Sequence, residues 1–401
     1  MTTAGHPGVV IALNSLLLLS VCLLPCWSVE PPADQRKRLE AELVALHKQL
    51  DDLGQRLEGD GLLVPPPDLS GPQRAIIQRE IDAVAAQQKS VRAELTALKE
   101  SAAAPPPALL AAQPRLDGST SGHPLVMAIL AHRLGLSLYW HGRNHRGFFG
   151  SERMPRVVKH VDPGLAAAGE ALNEMQPAGT GPAYLLLAAG QRDLLIEARL
   201  PASDELAAAA GRGTAFHCTP IALDAFVMIV HRDNPVTSLT RAQVTGIYTG
   251  AISNWREVGG ADRPINAYRR NPLSGSEELF RSLALPDVPL ERLVAGKPME
   301  VPTMTGLMNV VGSDVDGIGY SVWYYQQKID HRADVRLLAI DGVYPWHGSI
   351  SDRSYPWTSE VYAVIRPDAG PAVLALRDWL TGSEGQALVR SIGYAPVGSG
   401  R

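Results

Sequence analysis

The chain has 401 residues, of which 45% are hydrophobic and 19% charged, and its 37 basic and 41 acidic residues give a formal net charge of −4. This length and composition predict two or three domains of a soluble protein. The slightly acidic balance argues against a general nucleic-acid-binding protein, which would need a strongly basic face.

The N-terminal residues 1–28 are predicted to be an export signal, because an apolar run from Val9 to Leu24 is short for a spanning helix. The run has no preceding Lys or Arg, so an uncleaved membrane anchor is the alternative. Cleavage after Ser28 would leave Cys218 as the one remaining thiol, which excludes an intrachain disulfide. We therefore expect a periplasmic or otherwise extracytoplasmic protein.

Two heptad patterns follow, and they predict a coiled-coil helical hairpin over residues 35–100. A Pro/Gly-rich connector, residues 59–72, separates them. The helices are expected either to close on each other or to pair between chains, serving as an oligomerisation arm or as a spacer. The heptad positions are Leu39, Leu43, Leu46, Leu50, Leu53 and Leu57, then Ile77, Ile81, Val84, Gln88, Val91, Leu95 and Leu98.

A Pro/Ala-rich stretch, residues 101–114, is predicted to be a linker to a globular part over 115–401. Within that part, three short runs rich in hydroxyl groups and glycine precede helix-like segments: residues 117–122, 176–181 and 274–276. The first turn of a helix has unpaired N–H groups and the positive end of the helix dipole, so each run is suited to an anion. Arg270, four residues before Ser274, adds a forked cationic donor.

The order of these pieces resembles that of a known family. The segment 239–260, then Pro264-Ile265, Arg270, Ser274-Gly275-Ser276 and Phe280, is similar to the signature of type II periplasmic phosphate-binding proteins, the solute receptors of phosphate ABC importers. The resemblance extends over about 115–397. It implies an α/β fold of two lobes, about 115–230 plus 355–401 and about 236–340, joined by hinge crossovers near 220–230 and 355–364.

The resemblance also implies a ligand site for inorganic phosphate or a related tetrahedral oxyanion in a cleft between the lobes. Arg269 is expected to point away from this cleft, because adjacent residues of an extended segment face opposite ways. The predicted ligand residues are Gly118, Ser119, Thr120, Ser121, Thr180, Arg199, Arg270, Ser274, Gly275 and Ser276.

One position departs from the family pattern. Phosphate-selective members commonly carry an acidic residue in the turn where this chain has Arg199. An arginine cannot accept the proton of hydrogen phosphate. Glu197 and Asp117 are the candidates to replace that acceptor.

The predicted function is therefore a solute-binding protein for ABC import or phosphate sensing, with importer membrane subunits as expected partners. An envelope structural or adhesive protein, with a degenerate receptor fold and a working coiled coil, is the alternative. A phosphatase is disfavoured because the sequence shows no metal cluster and no nucleophile with its base. We predict no enzyme activity, no cofactor and no nucleic-acid partner.

Overall fold

The computed structural model describes residues 71–101, 107–142, 153–270, 274–289, 292–293, 301 and 303–398, with single positions between 35 and 53. The predicted export signal lies outside these residues. Every helix of the described part is too short or too polar to cross a membrane.

The chain alternates strands and helices, which confirms the predicted α/β class. The helices are α1 (Gly71–Ser101), α2 (Ala108–Ala111), α3 (His123–Arg133), α4 (Pro163–Glu174), α5 (Thr180–Ala188), α6 (Ser203–Ala210), α7 (Arg241–Tyr248), α8 (Gly275–Leu279), α9 (Met304–Ser313), α10 (His347–Ser351), α11 (Pro371–Thr381) and α12 (Ser383–Ser391). The strands are β1 (Leu116–Gly118), β2 (Leu138–Gly142), β3 (Arg153–Val157), β4 (Leu194–Glu197), β5 (His217–His231), β6 (Ser238–Leu239), β7 (Asn266–Ala267), β8 (Gly317–Val322), β9 (Val335–Leu337), β10 (Ala339–Ile340), β11 (Thr358–Ile365) and β12 (Ala395–Pro396). A 3-10 turn covers Trp255–Val258, and π-helical turns cover Phe280–Ala284 and Tyr325–Ile329.

One sheet of eight strands organises the globular part. Its main path runs β1-β4-β11-β5-β8-β7, and β9 and β12 also pair with β5. Strands β1 and β4 are parallel, whereas β11 runs antiparallel to both β4 and β5. Helices from the βα connections pack against this sheet and enclose its buried apolar side chains in one large core.

Strand β5 joins the two halves of the sheet. It has 15 residues, and positions 221–230 are all buried, as expected for an apolar run covered on both faces. Its first part pairs with β11 and β12, and its second part pairs with β8 and β9. The two segments predicted as crossovers thus lie in β5 and β11, side by side and antiparallel. The proposed lobe boundaries stay a prediction.

The N-terminal arm, which we define as α1 with the described residues between 35 and 53, lies outside the sheet. Heptad side chains of both runs, among them Leu39, Leu46, Val84 and Val91, form one separate apolar cluster. The Gln87 side-chain amide donates to the Glu42 carboxylate at 3.1 Å. These contacts lie within one chain, and association between chains stays a prediction.

The stretch predicted as a linker, residues 101–114, is not structureless. Helix α2 lies in its middle, and Leu110 packs against the main core. The run of alanines and leucines after three prolines permits this turn, which composition alone did not predict.

Candidate functional site

The first polar loop, residues 118–122, joins β1 to α3 and is held against the end of β4. The Ser119 amide donates to the Ile196 carbonyl at 3.1 Å, and the Ser119 hydroxyl accepts from the Gly122 amide at 3.0 Å. A Cβ atom on Gly118 would lie 2.1 Å from the Ile196 carbonyl oxygen, so this position requires glycine. The loop therefore holds its three hydroxyl residues at the carboxyl ends of two parallel strands, where open α/β sheets bind ligands.

The second polar loop opens helix α5. Gly179 has a φ of +85°, a conformation that favours glycine, and Thr180 begins the helix with only 9% of its surface exposed. The loop faces the third one closely, because a Cβ atom on Gly275 would lie 2.8 Å from the Thr180 hydroxyl oxygen. These two loops therefore form opposing walls of one cleft.

The third polar loop caps helix α8, as predicted. The Ser274 hydroxyl accepts a hydrogen bond from the Glu277 amide at 3.1 Å, which is the usual role of a serine at this position. The hydroxyl oxygens of Ser274 and Ser276 lie 3.4 Å apart. The helical path continues beyond α8 as a π-helical turn.

The adjacent arginines 269 and 270 have different environments. Arg269 forms an ion pair with the buried carboxylate of Glu277, which also accepts a hydrogen bond from the Tyr320 hydroxyl. The Arg270 amide donates to that same hydroxyl at 2.7 Å, so the network fixes the backbone before the third loop. The Arg270 side chain lines the cleft. Burial lowers the pKa of Arg270, but a guanidinium stays charged at neutral pH.

The three loops meet at a cavity of about 470 Å³. Nine of the ten predicted ligand residues line it, whereas Gly118, the first residue of the first loop, is not among the lining residues. The nine are Ser119, Thr120, Ser121, Thr180, Arg199, Arg270, Ser274, Gly275 and Ser276.

Arg199 lines the cavity but is also held in a buried ion pair. Its Nη1 and Nη2 atoms each donate at 2.7 Å to one oxygen of the Glu205 carboxylate. Burial by itself would lower the pKa of Arg199. The hydrogen bonds and the charge of the Glu205 carboxylate outweigh that effect and hold the pKa above its ordinary value. The Arg199 guanidinium also lies 5.4 Å from the centre of the Tyr184 ring. Both terminal nitrogens of Arg199 are therefore directed at Glu205, and a ligand would contact only the edge of the guanidinium group.

Neither of the two candidate proton acceptors lines the cavity. Asp117 accepts from the amides of Gly118 and Ala178 at 2.7 and 2.9 Å and forms an ion pair with Arg192 at 2.8 Å. Glu197 is fully buried, and burial raises the pKa of its carboxyl well above the ordinary value. Asp117 therefore holds the second loop in place, and Glu197 sits within the protein behind the cavity wall.

Sequence reasoning missed four residues that line the cavity from the N-terminal arm. They are Leu43, Lys89, Arg92 and Leu95. The heptad pattern predicts which side chains pair within the arm but carries no signal for its position on the globular part. Among the described residues, the cavity is thus lined by four cationic side chains, two from the arm and two from the globular part.

Comparison with known proteins gives the relatives of the globular part. The chain is 27% identical over 184 residues to the phosphate-binding protein PstS of Staphylococcus epidermidis, which covers 44% of this chain and 55% of that one. It is 26% identical over 179 residues to PstS of Bacillus subtilis, covering 44% and 56%. The chain thus spans about half the length of these relatives.

Among solved structures, an ABC-type phosphate transport receptor from Vibrio cholerae aligns with a TM-score of 0.49 and 21% identity, over 71% of this chain and 100% of that one. A family model described as the PBP superfamily domain matches residues 171–384, which is more than half of the chain and includes the second and third loops. Because this match covers more than half of the chain, the chain belongs to the PBP superfamily.

Proposed function

We propose that this protein is an extracytoplasmic solute-binding protein that holds phosphate or a similar tetrahedral oxyanion in the cavity. The observation that carries the proposal is the convergence of three hydroxyl- and glycine-rich loops with Arg270 on one cavity. Helices α3 and α5 begin at two of these loops, so their first-turn N–H groups and dipoles favour an anion. The names of the relatives above support phosphate as the ligand.

Binding would rest on neutral donors and charge together. Hydrogen bonds that involve a charged group contribute about 1.5–3 kcal/mol each, so a few of them offset the lost hydration of the ion. We assign no catalytic step to the site. A role in ABC import, with membrane subunits that receive the closed form, follows from the same proposal.

An envelope protein with a degenerate receptor site is not favoured. A degenerate site would not need to preserve the geometry of the polar loops. In this chain the loops have their capping hydrogen bonds and their glycines, and they approach each other closely across the cleft.

The proposal is tested by replacing Arg270. In isothermal calorimetry with phosphate, we expect Arg270→Ala to weaken binding by about 10- to 100-fold, since a charge-assisted contact is lost. Arg256→Ala is the matched control, because Arg256 is exposed and forms an ion pair with Asp262 on the surface. Equal phosphate affinity of both variants would contradict the proposal, and binding of sulfate alone by the wild type would replace phosphate as the ligand.

A further inference from the structure

The N-terminal arm is seated on the walls of the cavity through Lys89 of α1. This lysine is 5% exposed, and its Nζ atom lies 2.8 Å from Asp204 Oδ2 and 2.6 Å from Glu205 Oε1. Its stem crosses the start of α5 so closely that a Cβ atom on Gly181 would lie 2.5 Å from Lys89 Cε. Helix α1 therefore rests on the first turns of α5 and α6.

The carboxylate that holds the arm also belongs to the cavity wall. Glu205 is fully buried and accepts at once from Lys89 and from both terminal nitrogens of Arg199. The two cations Lys89 and Arg199 thus face the two anions Asp204 and Glu205, and their charges offset one another locally. The position of the arm and the position of Arg199 depend on one shared group.

Arg92 lies one turn after Lys89 on the same face of α1, and Leu95 lies one turn further. All three line the cavity. Arg92 on the arm and Arg270 on the globular part therefore bring two guanidinium groups to one cavity, and we assign the contact with a ligand's charge to them. An anion bound in this cavity would be attracted by both guanidinium groups.

We propose that Arg92 is a ligand-binding residue and that helix α1, latched by Lys89, is the roof of the oxyanion site. The inference rests on the proposed function and deepens it, because it places a determinant of affinity outside the segment 171–384 that matches the superfamily. By linkage, an anion that contacts α1 also holds α1 in its docked position.

Calorimetry with inorganic phosphate on the full chain tests the role of Arg92. We expect Arg92→Gln to weaken binding by about 10- to 100-fold, and Arg92→Lys to restore part of the loss because it keeps the charge without the fork. Arg79→Gln is the control, because Arg79 lies on the exposed side of the same helix and donates to the Ala75 carbonyl of its own helix.

The outcomes separate the two proposals. If Arg92→Gln binds phosphate as tightly as Arg79→Gln while Arg270→Ala binds weakly, Arg92 does not contact the ligand. The proposal for α1 is then refuted, and the proposed receptor function stands. If the wild type binds no phosphate or other tetrahedral oxyanion, both fall.

Hydrogen exchange separates a ligand contact from a purely structural role. Without phosphate, the amides of α1 should exchange alike in the wild type and in Arg92→Gln, whereas Lys89→Met should exchange faster because the latch is lost. Phosphate should slow exchange in α1 of the wild type by several-fold and leave α1 of Arg92→Gln unchanged. Faster exchange of Arg92→Gln already without phosphate would mean that Arg92 only holds the arm, and would overturn its assignment as a ligand residue.

Discussion

At the scale of single residues, the charge of the site depends on which arginine side chains form ion pairs with buried carboxylates. Arg269 and Arg270 are adjacent in sequence, yet one pairs with Glu277 and the other lines the cavity. Arg199 follows strand β4 and lines the cavity, but its two terminal nitrogens are directed at Glu205. A cation at this position therefore adds less positive charge to the cavity than its identity alone implies.

The closeness of the second and third loops leads to a prediction for Gly275→Ala. The added methyl group would lie 2.8 Å from the Thr180 hydroxyl oxygen, so the two walls must separate by a few tenths of an ångström. We expect phosphate affinity to fall by about tenfold, since charge-assisted contacts are sensitive to distance, while the thermal midpoint changes little. Calorimetry and a thermal melt measure the two effects.

Gly370→Ala is the control for this substitution. Its backbone φ is −68°, and no atom lies within 4 Å of the added methyl group. If Gly275→Ala binds phosphate like this control, the loops do not meet across the ligand site.

Much of the site at this scale could be predicted from the sequence. The expectation that only one of two adjacent arginines reaches the cleft follows from the alternation of an extended chain, and Arg270 is that residue. The role of Gly118 could not be predicted, because it depends on the Ile196 carbonyl of a strand that is remote in sequence. The pairing of Arg199 with Glu205 likewise depends on how α6 follows β4.

At the scale of secondary-structure elements, the starts of helices form the walls of the cavity. The apolar runs after the first and second polar loops predicted the helices that the structure shows as α3 and α5. Their local signals are strong: a proline near the start of α3 and a small polar residue before each apolar run. The docking of α1 on α5 has no such signal, because heptads specify that helices pair but not with which surface.

Helix α3 carries a pH-dependent contribution to stability at its first residue. Burial lowers the pKa of His123 from 6.5 to about 4, partly opposed by the Asp117 carboxylate and reinforced by Arg156. The unfolded chain takes up this proton near pH 6.5 and the folded chain only near pH 4, so stability falls as the pH falls through that window. The loss amounts to about 2–3 kcal/mol by pH 4.5.

Urea unfolding of the wild type and of His123→Gln at pH 7 and pH 4.5 measures this loss. Burial raises the pKa of Glu197 and raises that of Asp224 to about 7, and these carboxyls favour the folded state as the pH falls. The quantity to compare is therefore the difference in the free energy of unfolding between the wild type and His123→Gln. On going from pH 7 to pH 4.5, this difference should change in favour of the variant. Parallel pH profiles would show that His123 does not titrate in this way.

At the scale of the whole molecule, strand β5 runs through both halves of the sheet. Ten consecutive buried residues run through both halves, and the strand pairs with β11 on one side of the junction and with β8 beyond it. The predicted hinge, if built on these continuous strands, would let the halves move as bodies without unpairing the sheet. The two crossover segments predicted that strands would run between the halves. That these segments pair directly with each other, as β5 and β11, was not predicted.

This architecture predicts that the globular part unfolds in a single thermal transition and that phosphate raises its midpoint. A ligand that binds only the folded state stabilises it by about 2.7 kcal/mol at a hundredfold excess over Kd, a shift on the order of 5 °C for a domain of this size. Differential scanning calorimetry with and without phosphate measures the shift, and Arg270→Ala should show a smaller shift at the same phosphate concentration because it binds more weakly. Two transitions, of which phosphate moves only one, would show that the halves unfold separately despite their common strand and that the ligand does not bridge them.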